Sequence, residues 1–531
     1  MKHISILRAI LLATLACTSV TGCGGSKLEV VQVDPYELGA NHRNMRINGI
    51  GYSGEQYTEK MNADFKTTYV IEDVKALVVP VDFIDVPITT YGTDEHVHDI
   101  LKAAVFGTRE ENAWYSLKEY YASSSFGQCN ITGTVLPTWH WNDTVANINK
   151  NKKDTGLAAR IAVKIQDYYR EHPITLEDGS EVNLSHFDSN QDGLIDSIIM
   201  IYSAPITTTG EIWWAFCSSV SGAYGKYTRT GNLEGANRFF WASMKFLFEK
   251  GGSGEDAYYS NEEIAAGTVK PDAHTLTHEY GHVLSLPDYY VTDYNGSDYS
   301  AMGALDMMDY NIGDHNAFSK MLYGWINPKR VAGTSGKVTV ELKSTTKTGD
   351  TIIIPAPGEW NNTYLDQYLM VEFLTPEGVA EQDGKAKYLG KYPLYYSKAG
   401  VRITHVDARM GLRTYSSGKW QFSGYTWTTT PPEKNSSYIS FAADNTASDS
   451  CFPDYKLIEV VPANGKTQKQ RGGAAADDSC LYYQGDVFGT KGIHDKFMFN
   501  GIDGTKNVKF GFKISVDKID GNESATITIS R

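Results

Sequence analysis

The segment from His278 to His282 reads His-Glu-Tyr-Gly-His, and it constrains the chain more than any other stretch. Residues four apart in an α-helix lie one turn above each other, so the imidazoles of His278 and His282 can reach the same metal ion. The carboxylate of Glu279 then lies beside that ion rather than on it. The pattern therefore predicts a helix that carries two metal ligands and a catalytic base.

A third ligand is expected shortly after this helix. The apolar spacing predicts a helix from Asp272 to Leu286, and Pro287 must end it because a proline pushes the residue before it out of helical conformation. The chain then turns, and the carboxylate of Asp288 can swing back toward the histidines. A glutamate from a later helix is the main rival, but the next glutamate after the motif is Glu341, which is far away in the sequence.

Two imidazoles and a carboxylate are ligands that zinc accepts while one coordination position stays open for water. Zinc lowers the pKa of such a water, and a carboxylate like that of Glu279 can take its proton. This combination hydrolyses amide bonds. His274 stands one turn before His278, but an additional histidine on this face is more often a hydrogen-bonded or surface group, and we do not assign it to the metal.

The motif is accompanied by other segments of characteristic sequence. These are Leu77 to Asp85, Tyr120 to Val135, Pro287-Asp288-Tyr289-Tyr290, Leu305-Asp306-Met307-Met308-Asp309, and Ala317 to Trp325. Together with the motif they resemble the extended zinc signature of the metzincins, and in particular the immune inhibitor A family of secreted bacterial metallopeptidases. The likeness extends from Lys75 to Lys329, with a weaker match from Gly400 to Asp407.

This resemblance implies a role for each matching residue. His278, His282 and Asp288 would be the zinc ligands, Glu279 the general base, and Met308 the methionine of a turn beneath the metal. The resemblance also implies a zincin/metzincin-like catalytic domain and protein or peptide substrates.

Two further positions bear on this interpretation. Ser285 stands where the metzincin pattern usually has glycine, and a non-glycine residue in a left-handed turn costs about 1–2 kcal/mol, which affects the turn toward Asp288. Tyr310 follows Met308 by two residues, a spacing that in some metzincins places a phenol where it stabilises an oxyanion. Packing is the alternative role for Tyr310, because the chain contains 34 tyrosines.

A second cluster of oxygen-bearing residues resembles a calcium-binding loop. The expected ligands alternate along the segment: Asp188, Asn190, Asp192, the carbonyl of Leu194, and Asp196. Gly193 permits a sharp turn, but the twelfth position is Ile199 rather than the glutamate of a full EF-hand. We therefore expect a structural Ca²⁺ site completed from elsewhere in the fold, and the alternative is a solvated turn without metal.

The beginning of the chain has the pattern of a bacterial lipoprotein signal. Lys2 and Arg8 precede an apolar run, and Val20-Thr21-Gly22-Cys23 resembles a lipoprotein cleavage box, so residues 1–22 would be removed and Cys23 lipidated. The enzyme would then be anchored at the cell envelope, outside the cytoplasmic membrane. A simple secretory signal that is cut nearby is the alternative.

Composition restricts the partners and the redox chemistry. The formal net charge of -14 disfavours nucleic acid as a partner. Once the signal with Cys17 is removed and Cys23 is lipidated, four of the six cysteines remain. In an oxidising compartment these four cysteines can form two disulfides. If each bridge stays within its half of the chain, the pairs are Cys129 with Cys217 and Cys451 with Cys480.

The alternation of element types predicts the domain organisation. Residues 23–69 would form a tether and an N-terminal segment, residues 70–330 an α/β (α+β) catalytic domain, and residues 331–531 a β-rich, sandwich-like domain. In the catalytic domain we expect strands at Leu77–Phe83, Ile131–Pro137, Ser197–Ser203, Glu211–Cys217 and Phe239–Phe246, and helices at Thr93–Ala104, Trp114–Ala122, Gly156–Arg170 and Asp314–Trp325. In the second part, His405 shares strand parity with apolar neighbours and should point inward.

We therefore expect a secreted, lipid-anchored zinc endopeptidase in which Glu279 is the general base. Its partners would be protein or peptide substrates, with contact to the membrane only through the lipid. A catalytically inactive surface lipoprotein, acting as an adhesin or binding module on a peptidase fold, is the competing class. A zinc hydrolase for non-peptide amides is a third possibility.

Overall fold

The structure is a computed structural model of the full chain. It describes residues 26–32, 73–150, 156–189, 195–206, 211–219, 238–284, 286–292, 298–356, 360, 364–416, 419–425, 437–446, 455–501 and 507–531. Helices and sheets are mixed throughout, as expected for an α+β protein.

The helices of the described residues are numbered in chain order. They are α1 (Asp94–Phe106), α2 (Leu117–Ser124), α3 (Val145–Lys150), α4 (Leu157–Glu171), α5 (Asn261–Ala265), α6 (His274–Val283), α7 (Met307–Tyr310), α8 (Ala317–Leu322), α9 (Thr345–Thr348) and α10 (Glu381–Lys385).

The strands are numbered in the same way. They are β1 (Glu29–Gln32), β2 (Asp73–Phe83), β3 (Asn130–Val135), β4 (Trp139–Trp141), β5 (Ile174–Thr175), β6 (Glu181–Val182), β7 (Ser197–Tyr202), β8 (Phe216–Ser219), β9 (Arg238–Ser243), β10 (Tyr290–Val291), β11 (Tyr299–Ser300), β12 (Lys329–Ala332), β13 (Lys337–Lys343), β14 (Thr351–Pro355), β15 (Gln367–Leu374), β16 (Gly400–Asp407), β17 (Met410–Ser416), β18 (Lys419–Tyr425), β19 (Ser437–Phe441), β20 (Ile458–Val460), β21 (Val487–Phe488), β22 (Met498–Phe499), β23 (Val508–Lys509), β24 (Lys513–Asp520) and β25 (Ser524–Ser530).

The first large sheet has the order β3-β2-β7-β9-β8, with β4 also paired to β2. All of its pairs are parallel except β8 with β9, which are antiparallel. Its central strand β7 is a continuous apolar run that is buried at every residue, as expected for a parallel strand covered on both faces. Strand β8 therefore lies at one edge of the sheet among the described residues.

Helices cover both faces of this sheet. On one face α4 contributes Leu157, Ile161 and Ile165 to a core with the strands. On the other face α1, α2 and α6 pack together through residues such as Leu117 and Tyr280. The helix with the metal motif is thus held between the sheet and other helices, and this burial fixes its position.

The second part of the chain contains two further sheets. One has the order β1-β12-β14-β15-β16-β20 and the other the order β13-β25-β24-β21. Apolar side chains of both sheets, including Leu342, Ile352 and Ile527, share one core. The strand β1 pairs antiparallel with β12, so the beginning of the described chain is joined to this second part.

The part of the chain before residue 330 and the part after it contribute side chains to one common core. The core around α6 extends to Ile353, Met370 and Val406 in strands beyond residue 330. A buried ion pair also joins them, because Arg402 binds Glu372 in a two-pronged contact and Glu372 accepts the backbone N–H of Ala317 at the start of α8. The first part is therefore packed against the second.

Most predicted elements are present with shifted ends, and the ends of three elements differ enough to need an explanation. The segment predicted as a strand from Glu211 begins with a 3₁₀ turn, and the strand is Phe216–Ser219. The helix predicted from Asp314 is confined to Ala317–Leu322, with Asn316 as its N-cap. The helix with the His-Glu-Tyr-Gly-His motif begins at His274 rather than Asp272, because the carboxylate of Asp272 accepts the backbone N–H of His274 from outside the helix, and it ends at Val283 rather than Leu286.

The pairing of Cys129 with Cys217, which was conditional on bridges within each half of the chain, is not formed, because no disulfide joins the two residues. Cys129 directly precedes β3, whereas Cys217 lies in β8 at the opposite edge of the sheet. Four strand spacings separate these edges by roughly 19 Å, far beyond the reach of a disulfide. Cys480 forms no disulfide among the described residues, and Cys451 lies outside them.

Other predictions fall wholly or partly outside the described residues. These concern Cys23 and the signal, Ser285, and the loop positions Asn190, Asp192 and Leu194. No described helix has the length and apolar character required to cross a membrane.

Candidate metal centre

The helix α6 is fixed by contacts on the side away from the histidines. The hydroxyl of Tyr280 hydrogen-bonds Ser197 Oγ at 2.8 Å, which ties the helix to β7. The hydroxyl of Tyr323 donates to the carbonyl of Gly281 at 3.2 Å. Because these residues lie between the two histidines or next to them, the contacts hold the metal-facing side of the helix in a fixed orientation.

The structure brings the three predicted ligands together. Ligand atoms of His278, His282 and Asp288 all lie within 4.8 Å of one another. Oδ1 of Asp288 is 3.2 Å from Nε2 of His278 and 3.1 Å from Nε2 of His282. The helix ends at Val283, earlier than the predicted end at Leu286, and the chain between Leu286 and Asp288 brings the carboxylate back toward the histidines.

The geometry of this cluster tests whether a metal ion fits it. Although Oδ1 of Asp288 is buried and close to both imidazoles, it has no partner with hydrogen-bond geometry. Atoms that bind one metal ion are buried and close together, but they point at the ion and not at each other. Oδ1 of Asp288 and the two Nε2 atoms have this arrangement. Two nitrogens and one carboxylate oxygen are also a donor set that zinc accepts. The residues present therefore fit a zinc ion.

The other ring nitrogen of each histidine is already occupied. Nδ1 of His278 donates to the carbonyl of Met307 at 2.7 Å, and Nδ1 of His282 donates to the carbonyl of Leu286 at 2.8 Å. A proton fixed on Nδ1 leaves Nε2 with its lone pair directed into the cluster. Backbone acceptors of this kind orient histidine ligands and raise their basicity.

The short distances between Asp288 and the two histidines shift the pKa values of Asp288 and His282. Burial lowers the pKa of His282, but Asp288 outweighs this effect and raises it to about 9. Burial acts to raise the pKa of Asp288, yet the two imidazoles hold it well below its usual range. In the absence of a cation the imidazoles and the carboxylate therefore compensate each other.

Glu279 lies beside the cluster, as the motif predicts. It lines a cavity of about 700 Å³ that also exposes His278. Burial raises the pKa of Glu279, while His282 and His278 lower it, and the backbone N–H of Cys217 in β8 also favours the ionised form. A carboxylate with a raised pKa is suited to accept a proton near neutral pH.

Met308 occupies the predicted place beneath the metal helix. It is fully buried, and a Cβ built on Gly281 would lie 2.4 Å from its sulfur. The turn that carries it is held by Asp306, whose carboxylate accepts the N–H of Met308 at 2.9 Å and the N–H of Asn316 at 3.0 Å. Burial raises the pKa of Asp306 to about 6.

Tyr310 lies in the cavity wall, with 46% of its surface exposed. Its ring packs against Tyr392 with centroids 4.9 Å apart. The structure thus brings the predicted phenol into the same cavity as Glu279.

Tyr290 is a site residue that the sequence analysis missed. It also lines the cavity. Burial raises its pKa strongly, and the negative charge of the nearby Asp288 adds to the effect. Its position two residues after Asp288 could have indicated a role at the site. With 34 tyrosines in the chain, however, a tyrosine at any one position is weak evidence.

His274 is not a ligand, in agreement with the sequence analysis. Its ring is stacked between Trp114 and Tyr388, with centroid distances of 3.6 and 3.8 Å. Its two nitrogens face Asp272 at 2.6 Å and Asp383 at 3.3 Å. Burial lowers the pKa of His274, but the two carboxylates raise it to about 9.

His405 points inward, as predicted. It is buried and hydrogen-bonds Gln367 Oε1 at 2.9 Å, and burial lowers its pKa to about 4. It contributes to packing in the second part of the chain.

Only the ends of the predicted calcium loop belong to the described residues. The carboxylate of Asp196 accepts the backbone N–H of Lys75 at 2.8 Å and also binds Ser189. Asp188 immediately follows a short 3₁₀ helix. These contacts hold the loop ends against β2, and the calcium assignment stays a prediction.

Comparisons with known proteins add no assignment: no protein-family model matches the chain, and the search of curated proteins found no matching relative.

Proposed function

We propose that this chain is a zinc-dependent endopeptidase. The observation that carries the proposal is the convergence of His278, His282 and Asp288 within 4.8 Å, with Glu279 beside them in an open cavity. The resemblance to the immune inhibitor A family leads to the same activity. We likewise propose a zincin-like catalytic domain followed by a sandwich-like domain.

A bound zinc ion supplies Lewis acidity, which lowers the pKa of water and polarises a carbonyl group. The chain's own residues do the rest. His278 and His282 present Nε2 because their Nδ1 protons are held by backbone carbonyls. Asp288 supplies the third, negatively charged ligand, and Tyr290 holds its carboxylate.

Glu279 is the proposed general base. It accepts a proton from the attacking water and later gives that proton to the leaving amine, so one carboxylate serves both steps. Burial raises its pKa, which makes this carboxylate a better proton acceptor than an exposed glutamate. The N–H of Cys217 restrains the carboxylate.

Tyr310 is the proposed oxyanion donor. Its phenol lies in the cavity and is partly exposed, so it can approach a carbonyl oxygen as negative charge develops there. Tyr290 is engaged with Asp288 and is therefore assigned to positioning that ligand.

An extended peptide is the substrate form that we propose for the cavity. Strand β8 lies at the edge of the sheet in the part of the chain that the structure describes, and its residue Cys217 is adjacent to Glu279. An extended chain that pairs with such an edge is bound through its backbone, which leaves the side chains to determine selectivity.

The proposal also includes a location at the cell envelope and a structural Ca²⁺ ion. We propose that Cys23 carries the lipid anchor and that the protein faces outside the cytoplasm, on the basis of the sequence pattern alone. A structural Ca²⁺ at the loop from Asp188 to Asp196 is proposed on the same basis.

The competing function is that of a binding protein on an inactive peptidase fold. The presence of Glu279 beside a complete ligand set favours the enzyme. A hydrolase for non-peptide amides would share this centre, and it would cleave small amides while leaving proteins intact.

The test uses the full mature chain with Cys23 replaced by serine. Bound zinc and cleavage of unfolded casein are measured for the wild-type site and for Glu279→Gln. We expect Glu279→Gln to keep its zinc and lose cleavage. If the zinc-loaded wild type, also tested with calcium and after trial proteolysis, cleaves no member of a broad peptide library, the endopeptidase proposal fails and the binding-protein alternative is favoured.

A further inference from the structure

The cavity that contains Glu279 extends past the N-terminal end of the metal helix to a second carboxylate, that of Glu249. Both residues line the same space of about 700 Å³. Thr275 connects them, because its hydroxyl donates to Oε2 of Glu249 at 3.2 Å and it stands one helical turn before Glu279. Glu249 is therefore within reach of a long side chain that extends from a peptide bound at the metal.

The contacts of Glu249 leave part of its carboxylate available. Thr275 and the hydroxyl of Tyr388 both bind Oε2, the latter at 3.4 Å. Among the described residues, no protein group hydrogen-bonds Oε1, and no lysine or arginine lies at ion-pair distance from either oxygen. Burial raises the pKa of Glu249, which is the effect expected of a carboxylate that lacks a close counter-charge.

The rest of the cavity fits a long cationic side chain. Phe246, Tyr258 and Tyr392 provide aromatic walls that can cover an aliphatic stem and face a cation. Asp309 adds a second buried acid to the lining, and its Oδ1 has no hydrogen-bond partner. Lys391 is exposed and lies near enough to influence Glu249, but it does not form an ion pair with it.

We infer that Glu249 makes the cleft selective for peptides that carry a lysine or arginine next to the scissile bond. The inference rests on the proposed peptidase function and adds the substrate class. Glu249 would accept charge-assisted hydrogen bonds from the cation through Oε1, while the aromatic walls contact its stem. Lys391 would weaken this preference, because it contributes a competing positive charge to the same space.

The test compares matched peptides that differ only by arginine or glutamine at one position beside the cleavage site. For the wild type we expect kcat/KM to be about tenfold or more higher for the arginine peptide, the range that hydrogen bonds to a charged group provide. Glu249→Gln should bring this ratio close to one while it retains an acceptor for Thr275. Glu255→Gln is the matched control, because Glu255 is exposed and lines a different cavity.

A second variant and a second readout keep the inference testable. Lys391→Gln should raise the arginine-to-glutamine ratio, even if Glu249→Gln does not fold. Binding of both peptides to Glu279→Gln, measured by fluorescence anisotropy, reports selectivity without turnover. A wild-type ratio near one, a ratio that Glu249→Gln leaves unchanged, or a ratio that Lys391→Gln lowers overturns the inference. If the peptides bind with the expected preference but are never cleaved, the peptidase proposal fails while this inference holds.

Discussion

The sulfur of Met308 packs against Gly281, the residue that directly precedes His282 in the motif. A Cβ at Gly281 would be 2.4 Å from this sulfur, a distance that real contacts do not reach. The glycine of the motif is therefore required by the methionine turn beneath it, and the two segments can only be as close as they are because residue 281 has no side chain.

This contact predicts that Gly281→Ala is destabilising. Overpacking a buried site costs about 1–3 kcal/mol, and the displaced helix should also bind zinc less tightly. Urea unfolding and zinc titration measure the two effects. In a Met308→Ala background the same substitution should cost less, because the clash is gone. An equal cost in both backgrounds would contradict the explanation.

His274 predicts a pH dependence of stability. Its pKa is raised from 6.5 to about 9 by Asp272 and Asp383, although its aromatic neighbours bury it. The stabilisation is fully present below pH 6.5 and is lost as the pH rises through 9. A shift of this size corresponds to about 3 kcal/mol for a fully buried group.

The measurement compares wild type with His274→Gln between pH 6 and pH 10 by urea unfolding. The zinc-loaded protein is used, because a metal-bound His282 cannot titrate in the same range. The stability of the wild type should fall toward that of the variant as the pH rises. Parallel curves for the two proteins would mean that His274 is not the titrating group.

Local pattern was sufficient for much of the fold and for the cluster of His278, His282 and Asp288. The apolar run of β7 and the amphipathic repeat of α4 predict their own element types, since burial on two faces or one face is encoded in a few neighbouring residues. The three residues of this cluster could be predicted for the same reason: His278 and His282 are one helical turn apart, and Asp288 follows soon after the end of the same helix.

Contacts between distant segments could not be predicted from pattern. The ring of His274 is held by Trp114 and Tyr388, which are both more than a hundred residues away in the sequence. The cavity likewise gains Lys391 and Tyr392 from the second part of the chain. Such contacts depend on tertiary packing. For the same reason the sequence could not determine whether Cys129 pairs with Cys217, and the structure shows no disulfide between them.

Asp288 gives the most direct prediction about the metal. Asp288→Asn removes the charged ligand, so the isolated protein should lose most of its bound zinc, as measured by mass spectrometry of the metal. Asp298→Asn is the control, because Asp298 lines the same cavity without belonging to the ligand cluster. Retention of full zinc by Asp288→Asn would exclude Asp288 as a ligand.

Tyr290 and Tyr310, two of the tyrosines that line the cavity, should separate by phenotype. Tyr310→Phe should lower kcat by about 10²–10³-fold without changing zinc content, as expected for the loss of an oxyanion donor. Tyr290→Phe should instead weaken zinc binding by about 10–100-fold, because it removes the hydroxyl group next to the proposed ligand Asp288. Steady-state kinetics and zinc competition assays distinguish the two, and exchanged phenotypes would exchange the assigned roles.

The ion pair of Arg402 with Glu372 predicts that the metal centre depends on the second part of the chain. Both groups are buried, and Glu372 also binds the N–H of Ala317, ten residues after the turn that begins with Met307. Arg402→Met leaves a buried carboxylate without its partner and should cost about 3–5 kcal/mol of unfolding free energy. Replacing both residues by methionine should recover part of this loss, because no charge is then buried. For the same reason a chain that ends at residue 330 should not fold around zinc, and a soluble, zinc-binding fragment of that length would contradict the dependence.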